Sequence, residues 1–153
     1  MTATAWRIAK QKHAKMAFTG EGARLFGGRW NNPGISIVYT AQSQSLAMLE
    51  MLVHLDSPEL LGKYVLLEVI IDDSLIEHVD PSRLPKNWRA YPSPARARAI
   101  GDEWITAATS AVLAVPSAVV PTENNFLLNP RHKDFPGLRI GKPVPFRFDS
   151  RLT

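Results

Sequence analysis

Short runs of apolar and β-branched residues recur along the chain, and their period of two predicts β-strands. In the run 35–41, alternation places Ile35, Ile37 and Tyr39 on one face. Further strands are predicted at 64–71, 75–79, 112–115, 118–120, 124–130 and 143–148. Residues 6–9 fit either a first strand or the start of a helix, and 13–24 predict a loop because Gly20 and Gly22 interrupt any helix.

Two segments have the composition of helices. Residues 46–55 are apolar nearly all round, which predicts a buried helix that Ser43 or Ser45 can cap. Residues 94–108 carry an apolar stripe, with Ser93 as the predicted cap. Together these elements predict an α+β fold, a single domain over residues 1–153 in which short mixed strands are flanked by helices.

Composition narrows the protein class. The chain of 153 residues has no cysteine, so disulfides and thiolate catalysis are excluded. No apolar run reaches the roughly 20 residues that cross a bilayer, and the N-terminus lacks a signal-peptide pattern, so we expect a cytoplasmic protein that does not contact a membrane. The net charge of +4 suits an anionic partner, but the basic residues are scattered, which disfavours direct nucleic-acid binding.

The segment 27–34, Gly-Gly-Arg-Trp-Asn-Asn-Pro-Gly, predicts a tight turn. Such a turn can hold Arg29 at a fixed position, where its guanidinium would suit a bidentate contact with a phosphate or carboxylate. A plain surface loop with a solvated Arg29 is an equal alternative on the loop alone. Arg7 lies between Trp6 and Ile8. Its side chain could point into a functional site or be exposed on the edge of a sheet.

Glu50 is the only carboxylate in the predicted apolar helix. Burying a carboxylate costs several kcal/mol unless it is paired, so Glu50 serves either a structural ion pair or a functional site. We favour the functional site because no local partner is evident; His54, one turn later, could pair with it but is more often a satisfied residue at a helix end. The adjacent acids Asp72 and Asp73 lack supporting ligands, so no metal site is predicted.

Ser117 follows a proline between two short apolar runs. From its neighbours alone, the favoured interpretation is a serine that hydrogen-bonds within its own turn.

Six segments, in order, resemble the RES domain. They are Trp6-Arg7, 27–31 (GGRWN), 38–41 (VYTA), 46–50 (LAMLE), 115–118 (VPSA) and 125–132 (NFLLNPRH). Each segment is weak alone, but six in order are specific. They run from near the N-terminus to about Phe135, so the resemblance spans most of the chain. Lys133 departs from the pattern, since the family has proline after the histidine.

The resemblance implies a fold similar to ADP-ribosyltransferases and a toxin of a bacterial toxin–antitoxin pair. Its partner would be an Xre-type antitoxin with a helix-turn-helix, so DNA would be contacted only through the antitoxin, and the toxin could form a homodimer within that complex. The family consumes NAD by hydrolysis or phosphorolysis of the nicotinamide–ribose bond. NAD is therefore expected as a substrate, with no cofactor.

The resemblance also implies a set of site residues. The catalytic residues would be Arg29, Tyr39, Glu50 and Ser117, and the residues that bind NAD would be Arg7, Arg29, Asn31, Tyr39 and Asn129. Their chemistry fits, because a carboxylate can stabilise the positive charge that develops on the ribose. Arg29 would hold the pyrophosphate or a ribose hydroxyl, and Tyr39 would stack on or hydrogen-bond the nicotinamide. Ser117 would fix the amide or orient the attacking water or phosphate.

Two alternative functions fit the same residues. The same site could transfer ADP-ribose to a protein, or the chain could be a basic binding module without catalysis. The chain lacks a GxGxxG fingerprint, which argues against hydride transfer with NAD as a reusable cofactor.

Overall fold

A mixed eight-stranded sheet forms the centre of the computed structural model, which describes residues 1–152. The strands are β1 (Thr2–Lys10), β2 (Val38–Ala41), β3 (Tyr64–Asp72), β4 (Ile76–His78), β5 (Val112–Pro116), β6 (Asn124–Leu128), β7 (Arg139–Ile140) and β8 (Val144–Phe146). The helices are α1 (Glu21–Phe26), α2 (Gln44–Leu52), α3 (Ser57–Leu60) and α4 (Ala95–Ala107). This sheet with flanking helices confirms the predicted α+β fold.

The strands are ordered β4-β5-β6-β2-β1-β3-β7, and β8 also pairs with β3. Every pair is antiparallel except β4–β5, whose parallel connection contains α4 as the crossover. β1 pairs with β3 along its whole length, from Thr2 opposite Asp72 to Lys10 opposite Tyr64. Residues 6–9 therefore belong to a strand, and β1, β2 and β6 lie together in the middle of the sheet.

The two faces of the sheet carry separate apolar clusters. Along β6, Leu127 packs on one side with Trp30 and Trp104, and Trp104 is part of α4. Its neighbours Phe126 and Leu128 point to the opposite side. This alternation is what a strand buried on both faces requires. Helix α2 covers a further part of the sheet and contributes Leu46 and Ala47 to a third cluster.

The predicted cap of α2 is confirmed, because the Ser43 side chain accepts a hydrogen bond from the Leu46 N–H at 3.1 Å. The prediction that this helix is buried on all sides was wrong. Leu49 and Val53 are 40% and 58% exposed. The predicted cap of α4 was also wrong: Pro94 occupies the N-cap position, and the Ser93 hydroxyl donates to the Arg29 carbonyl instead.

Several predicted loops and strands differ in the structure. Residues 13–24 are not a plain loop, since a 3₁₀ helix spans Gln11–Met16 and α1 follows Gly20, whose φ of 73° starts the helix from a left-handed conformation. The predicted strand 118–120 does not form, because Ser117 takes the N–H groups of Val119 and Val120. The sequence 131–142 contains β7, which was not predicted.

Within residues 1–152, no helix combines the length and apolar character needed to cross a membrane.

Candidate active site

A cavity of about 1170 Å³ opens beside the middle of the sheet. Its walls come from β1, α1, the 27–34 loop, β2, α2, the segment before α4 and the first turns of α4, the segment after β5, and β6. The volume exceeds the roughly 300–1,000 Å³ of most small-molecule pockets, so it can hold a ligand as large as a dinucleotide. Five of the predicted site residues line it: Arg7, Arg29, Asn31, Tyr39 and Glu50.

The charge of the cavity wall is strongly biased. Four arginines line it, Arg7, Arg29, Arg89 and Arg98, whereas Glu50 is the only carboxylate among the described lining residues. Such a wall attracts an anionic ligand and leaves one negative group for a different task. Within residues 1–152, Glu50 forms no ion pair with any of these arginines.

Glu50 is held through one of its two oxygens. Its Oε1 accepts hydrogen bonds from the Ser117 hydroxyl at 2.7 Å and from Asn125 Nδ2 at 2.9 Å. In the described part of the chain, no hydrogen bond reaches Oε2. His54 does not pair with Glu50; its ring packs against Tyr91, with centroids 6.2 Å apart. The carboxylate is therefore fixed in orientation while one oxygen stays free for a ligand.

Ser117 is fully buried behind Glu50 and does not line the cavity. Its oxygen accepts the N–H groups of Val119 and Val120 at 3.1 and 3.0 Å, which directs the hydroxyl hydrogen towards Glu50. The serine thus bonds within its own turn, as its neighbours suggested, and also supports the carboxylate. The expectation that Ser117 touches the nicotinamide amide or the attacking group does not fit this position.

The Arg29 guanidinium is anchored by the segment that precedes α4. Its Nη1 donates to the carbonyls of Trp88 at 2.8 Å and Ala90 at 2.9 Å, which uses both hydrogens on that nitrogen. Nε and Nη2 remain as a two-pronged donor for an anion. Burial lowers the pKa of Arg29, and the negative charge of Glu50 opposes that shift. These contacts exclude the alternative in which 27–34 is a plain surface loop and Arg29 is fully solvated.

The half-buried Tyr39 is hydrogen-bonded to the fully buried Asn31 behind the turn. The Tyr39 hydroxyl donates to Asn31 Oδ1 at 2.6 Å and accepts the Trp30 N–H at 3.1 Å. Burial raises the pKa of Tyr39, so its hydroxyl stays protonated. A β-carbon at Gly28 would lie 2.6 Å from this hydroxyl, so the close approach of the turn requires glycine there. The Tyr39 ring still lines the cavity and can pack on a ligand.

Asn31 lies at the cavity wall, where it was predicted, but its side chain is already engaged within the protein. Its side chain is fully buried, and Nδ2 donates to the carbonyls of Ala23, Asn32 and Ile35 at 3.0–3.1 Å. With Oδ1 occupied by Tyr39, the amide is used in shaping the turn. It therefore supports Arg29 rather than offering a free group to NAD.

Arg7 is a half-buried cation on the cavity wall, not an exposed edge residue. Its Nη1 donates to the Tyr39 carbonyl at 2.9 Å, while its buried Nε has no partner within residues 1–152. Burial without a counter-ion lowers the pKa of Arg7 to about 10. Such a group gains a partner when an anion enters the cavity.

Asn129 lies outside the cavity wall, contrary to the prediction. Its Oδ1 accepts the Arg131 N–H at 3.0 Å and so closes the turn after β6. Asn125 and Asn129 share a face of the extended chain, but four residues span about 13 Å. Asn125 therefore reaches Glu50, and Asn129 lies beyond the end of the cavity.

Two residues with clear roles were missed by the sequence analysis. Asn125 supports Glu50, and Asp102 of α4 clamps the arginine turn by accepting the Asn32 N–H at 2.9 Å and Asn32 Nδ2 at 2.6 Å. Asn125 lies in one of the six matched segments, which was the only signal for it. Asp102 gave no signal, because its partner is 70 positions away.

Comparisons with known proteins identify the family of this chain. Residues 4–149 match the RES domain. Toxin Res of Yersinia enterocolitica is 46% identical over 148 residues, which cover 96% of this chain and 97% of the relative. Prs ADP-ribosylating toxin of Sphingobium sp. (strain YBL2) is 38% identical over 157 residues, covering 99% and 98%.

One solved structure shares the fold. It is the crystal structure of the M. tuberculosis MbcT–MbcA toxin–antitoxin complex, with a TM-score of 0.75 at 22% identity, covering 96% of this chain and 85% of that chain. The family match and the two full-length relatives go further than the fold. This chain belongs to the RES domain family, alongside relatives that are named toxins.

Proposed function

We propose that this toxin consumes NAD by breaking its nicotinamide–ribose bond, with water or phosphate as the acceptor. The observation that carries the proposal is Glu50, a carboxylate with one hydrogen-bonded and one free oxygen. It is the only carboxylate in a cavity wall that carries four arginines, among the described residues. Arginines can bind the two phosphates of NAD. A single carboxylate can stabilise the positive charge that develops on the ribose during the reaction.

Each residue type then has a defined task. Arg29 and Arg7 bind the pyrophosphate through the donors that the protein leaves unused. The Tyr39 ring packs against the nicotinamide end. Glu50 Oε2 lies beside the ribose and stabilises the oxocarbenium-like transition state.

In the chemical step, the C1′–N bond breaks and its electron pair leaves with nicotinamide, which departs as a neutral molecule. An oxygen of water or phosphate forms the new bond to C1′, and a proton of water passes to solvent. Because the leaving group is neutral on departure, no strong general acid is required.

Nicotinamide release from purified protein tests the proposal. We expect release with NAD alone or only with added phosphate, and the comparison identifies the acceptor. Glu50→Gln should reduce turnover roughly 100- to 1,000-fold, as does the loss of one electrostatic contact to a transition state. Arg29→Lys keeps the charge but loses the forked geometry, and should mainly raise KM. Full turnover by Glu50→Gln would contradict the assigned role.

Transfer of ADP-ribose to a protein is a second candidate. It is favoured by one observation, the 38% identity to a relative named Prs ADP-ribosylating toxin. The same bond breaks, but a protein side chain replaces water as the acceptor. NAD labelled in its adenylate part distinguishes the two: label retained on a protein supports transfer, and label found only in small products supports hydrolysis or phosphorolysis.

We also propose that an Xre-type antitoxin neutralises this toxin by covering the cavity. The fold likeness to the toxin–antitoxin complex supports an antitoxin partner. At the mouth of the cavity, Phe26, Val53 and Tyr91 expose 84%, 58% and 80% of their surface. Phe26→Asp should weaken co-purification with the cognate antitoxin, whereas Leu61→Asp, at an exposed apolar residue outside the cavity, should not.

A further inference from the structure

Asn125 holds Glu50 by a hydrogen bond, but the preceding mechanism gives this cavity residue no part in catalysis. It lies in β6, between β5 and β2, and only 8% of its surface is exposed. Its Nδ2 lies 2.9 Å from Glu50 Oε1, although 75 positions separate the two residues. The contact thus joins the centre of the sheet to helix α2.

The orientation of the Asn125 amide follows from Glu50. Carboxylate oxygens accept hydrogen bonds, so the amide must turn its NH₂ group, not its carbonyl, towards Oε1. The Ser117 hydroxyl donates to the same oxygen at 2.7 Å. Two donors on one oxygen fix the plane of the carboxylate and leave Oε2 as its free side.

The opposite end of the amide is left without a partner. Asn125 Oδ1 is buried and accepts no hydrogen bond within residues 1–152. Its cross-strand neighbours are Ala41 in β2 and Val115 in β5, and neither side chain can donate. A buried acceptor without a partner destabilises the folded state. The fold therefore keeps Asn125 in an unfavourable setting where an apolar residue would suit the sheet better.

We infer that Asn125 is a positioning residue for Glu50: it orients the carboxylate for catalysis at a cost in folding stability. This inference rests on the proposed function, because it assigns Asn125 a role in that reaction. Asn125 acts through Glu50, so its loss should lower kcat and leave ligand affinity nearly unchanged.

The main test is the kinetics of Asn125→Ala and Asn125→Asp in nicotinamide release. Asn125→Asp is nearly isosteric but replaces the NH₂ donor by an oxygen that cannot donate to Glu50 when ionised. We expect kcat to fall at least 10-fold in both variants, with KM within 3-fold of wild type. Asn124→Ala is the matched control on the same strand. Asn124 does not line the cavity, and its kinetics should be unchanged.

Dependence on Glu50 gives a second, sharper measurement. If Asn125 acts through the carboxylate, adding Asn125→Ala to Glu50→Gln should produce no further fall in kcat. A full additional 10-fold fall in the double variant overturns the inference. A raised KM with normal kcat in Asn125→Ala also overturns it, because that result indicates direct substrate binding.

Thermal unfolding separates positioning from a structural role. Asn125→Ala and Asn125→Asp should retain the circular dichroism spectrum of the wild type, and the alanine variant should melt at or above the wild-type temperature because the orphan acceptor is gone. A lower melting temperature with intact kcat would show that Asn125 serves folding alone.

Side-chain amide NMR makes the test independent of turnover. The Asn125 NH₂ resonances should shift in Glu50→Ala and stay in place in His54→Ala. If wild-type protein releases no nicotinamide while this shift is present, the proposed function fails and the contact stands. If nicotinamide is released but the shift is absent, the positioning role fails alone.

Discussion

Gly101 of α4 faces the carbonyl oxygen of Trp30 so closely that a β-carbon would lie 1.8 Å from that oxygen. The helix therefore rests directly on the backbone of the turn that presents Arg29. Gly101→Ala should force the two elements apart and lower the free energy of unfolding by about 1–3 kcal/mol or more. Urea unfolding measures this loss.

The control for that substitution is Gly22→Ala in α1. A β-carbon at Gly22 would meet no atom within 4 Å, and the residue lies inside a helix. Alanine there should leave stability unchanged or raise it by up to about 1 kcal/mol. Equal behaviour of the two variants would contradict the close contact at Gly101.

Asp102→Ala should loosen the arginine turn. It removes both acceptors of Asn32, one of which binds the backbone N–H, so the position of Arg29 becomes less defined. We expect kcat/KM for NAD to fall at least 10-fold and the free energy of unfolding to fall by about 1–3 kcal/mol. Glu103→Ala, the next residue on the helix, loses only an exposed ion pair with Arg83 and should retain activity.

Ser117→Ala should lower kcat about 10- to 100-fold, which corresponds to about 1.4–2.7 kcal/mol, because Glu50 loses its shorter hydrogen bond. KM should change little, since Ser117 does not line the cavity. Steady-state nicotinamide release measures both constants. Ser110→Ala removes a serine whose hydroxyl accepts from Trp104 Nε1 and which does not line the cavity, so it should leave kcat unchanged.

Tyr39→Phe should alter the alkaline stability profile. Burial raises the pKa of Tyr39 above the ordinary value near 10, so the native state keeps a proton that the unfolded state loses. The stability that Tyr39 contributes through this shift is therefore fully present below about pH 10. Above that pH, the free energy of unfolding falls by up to about 1.4 kcal/mol per pH unit.

Urea unfolding at about pH 9 and about pH 11 checks this sign. The wild type should lose more stability than Tyr39→Phe between the two pH values. At about pH 9 the free energy of unfolding of the phenylalanine variant should be about 1–3 kcal/mol below that of the wild type, because Asn31 Oδ1 and the Trp30 N–H lose their partner. A steeper alkaline loss in the variant would contradict the assigned shift.

Local features of the site were accessible from the sequence. The Ser43 cap depends on a residue three positions away, and the 27–34 turn depends on its own glycines, so both could be predicted. Contacts between segments that are distant in the sequence could not be predicted. The contacts of Glu50 with Ser117 and Asn125 span 67 and 75 positions, and no local pattern encodes them.

Two errors have simple physical origins. The apolar composition of α2 suggested burial on every side, but composition does not reveal that an open cavity lies beside the helix and leaves Val53 exposed. For Asn129, the residue type was suitable, but its place along β6 depends on where the sheet ends relative to the cavity. Strand register and cavity position are tertiary properties, and only the assembled sheet fixes them.

The order of the strands also bears on biosynthesis. Arg7, Arg29, Tyr39 and Glu50 are all translated within the first third of the chain, but β6 inserts between β2 and β5 only after residue 128 has emerged. A ribosome adds about 5–20 residues per second, so the acid is exposed for some seconds before its two donors exist. A nascent or truncated polypeptide thus carries these four side chains without the assembled site. The complete site forms only when synthesis is nearly finished.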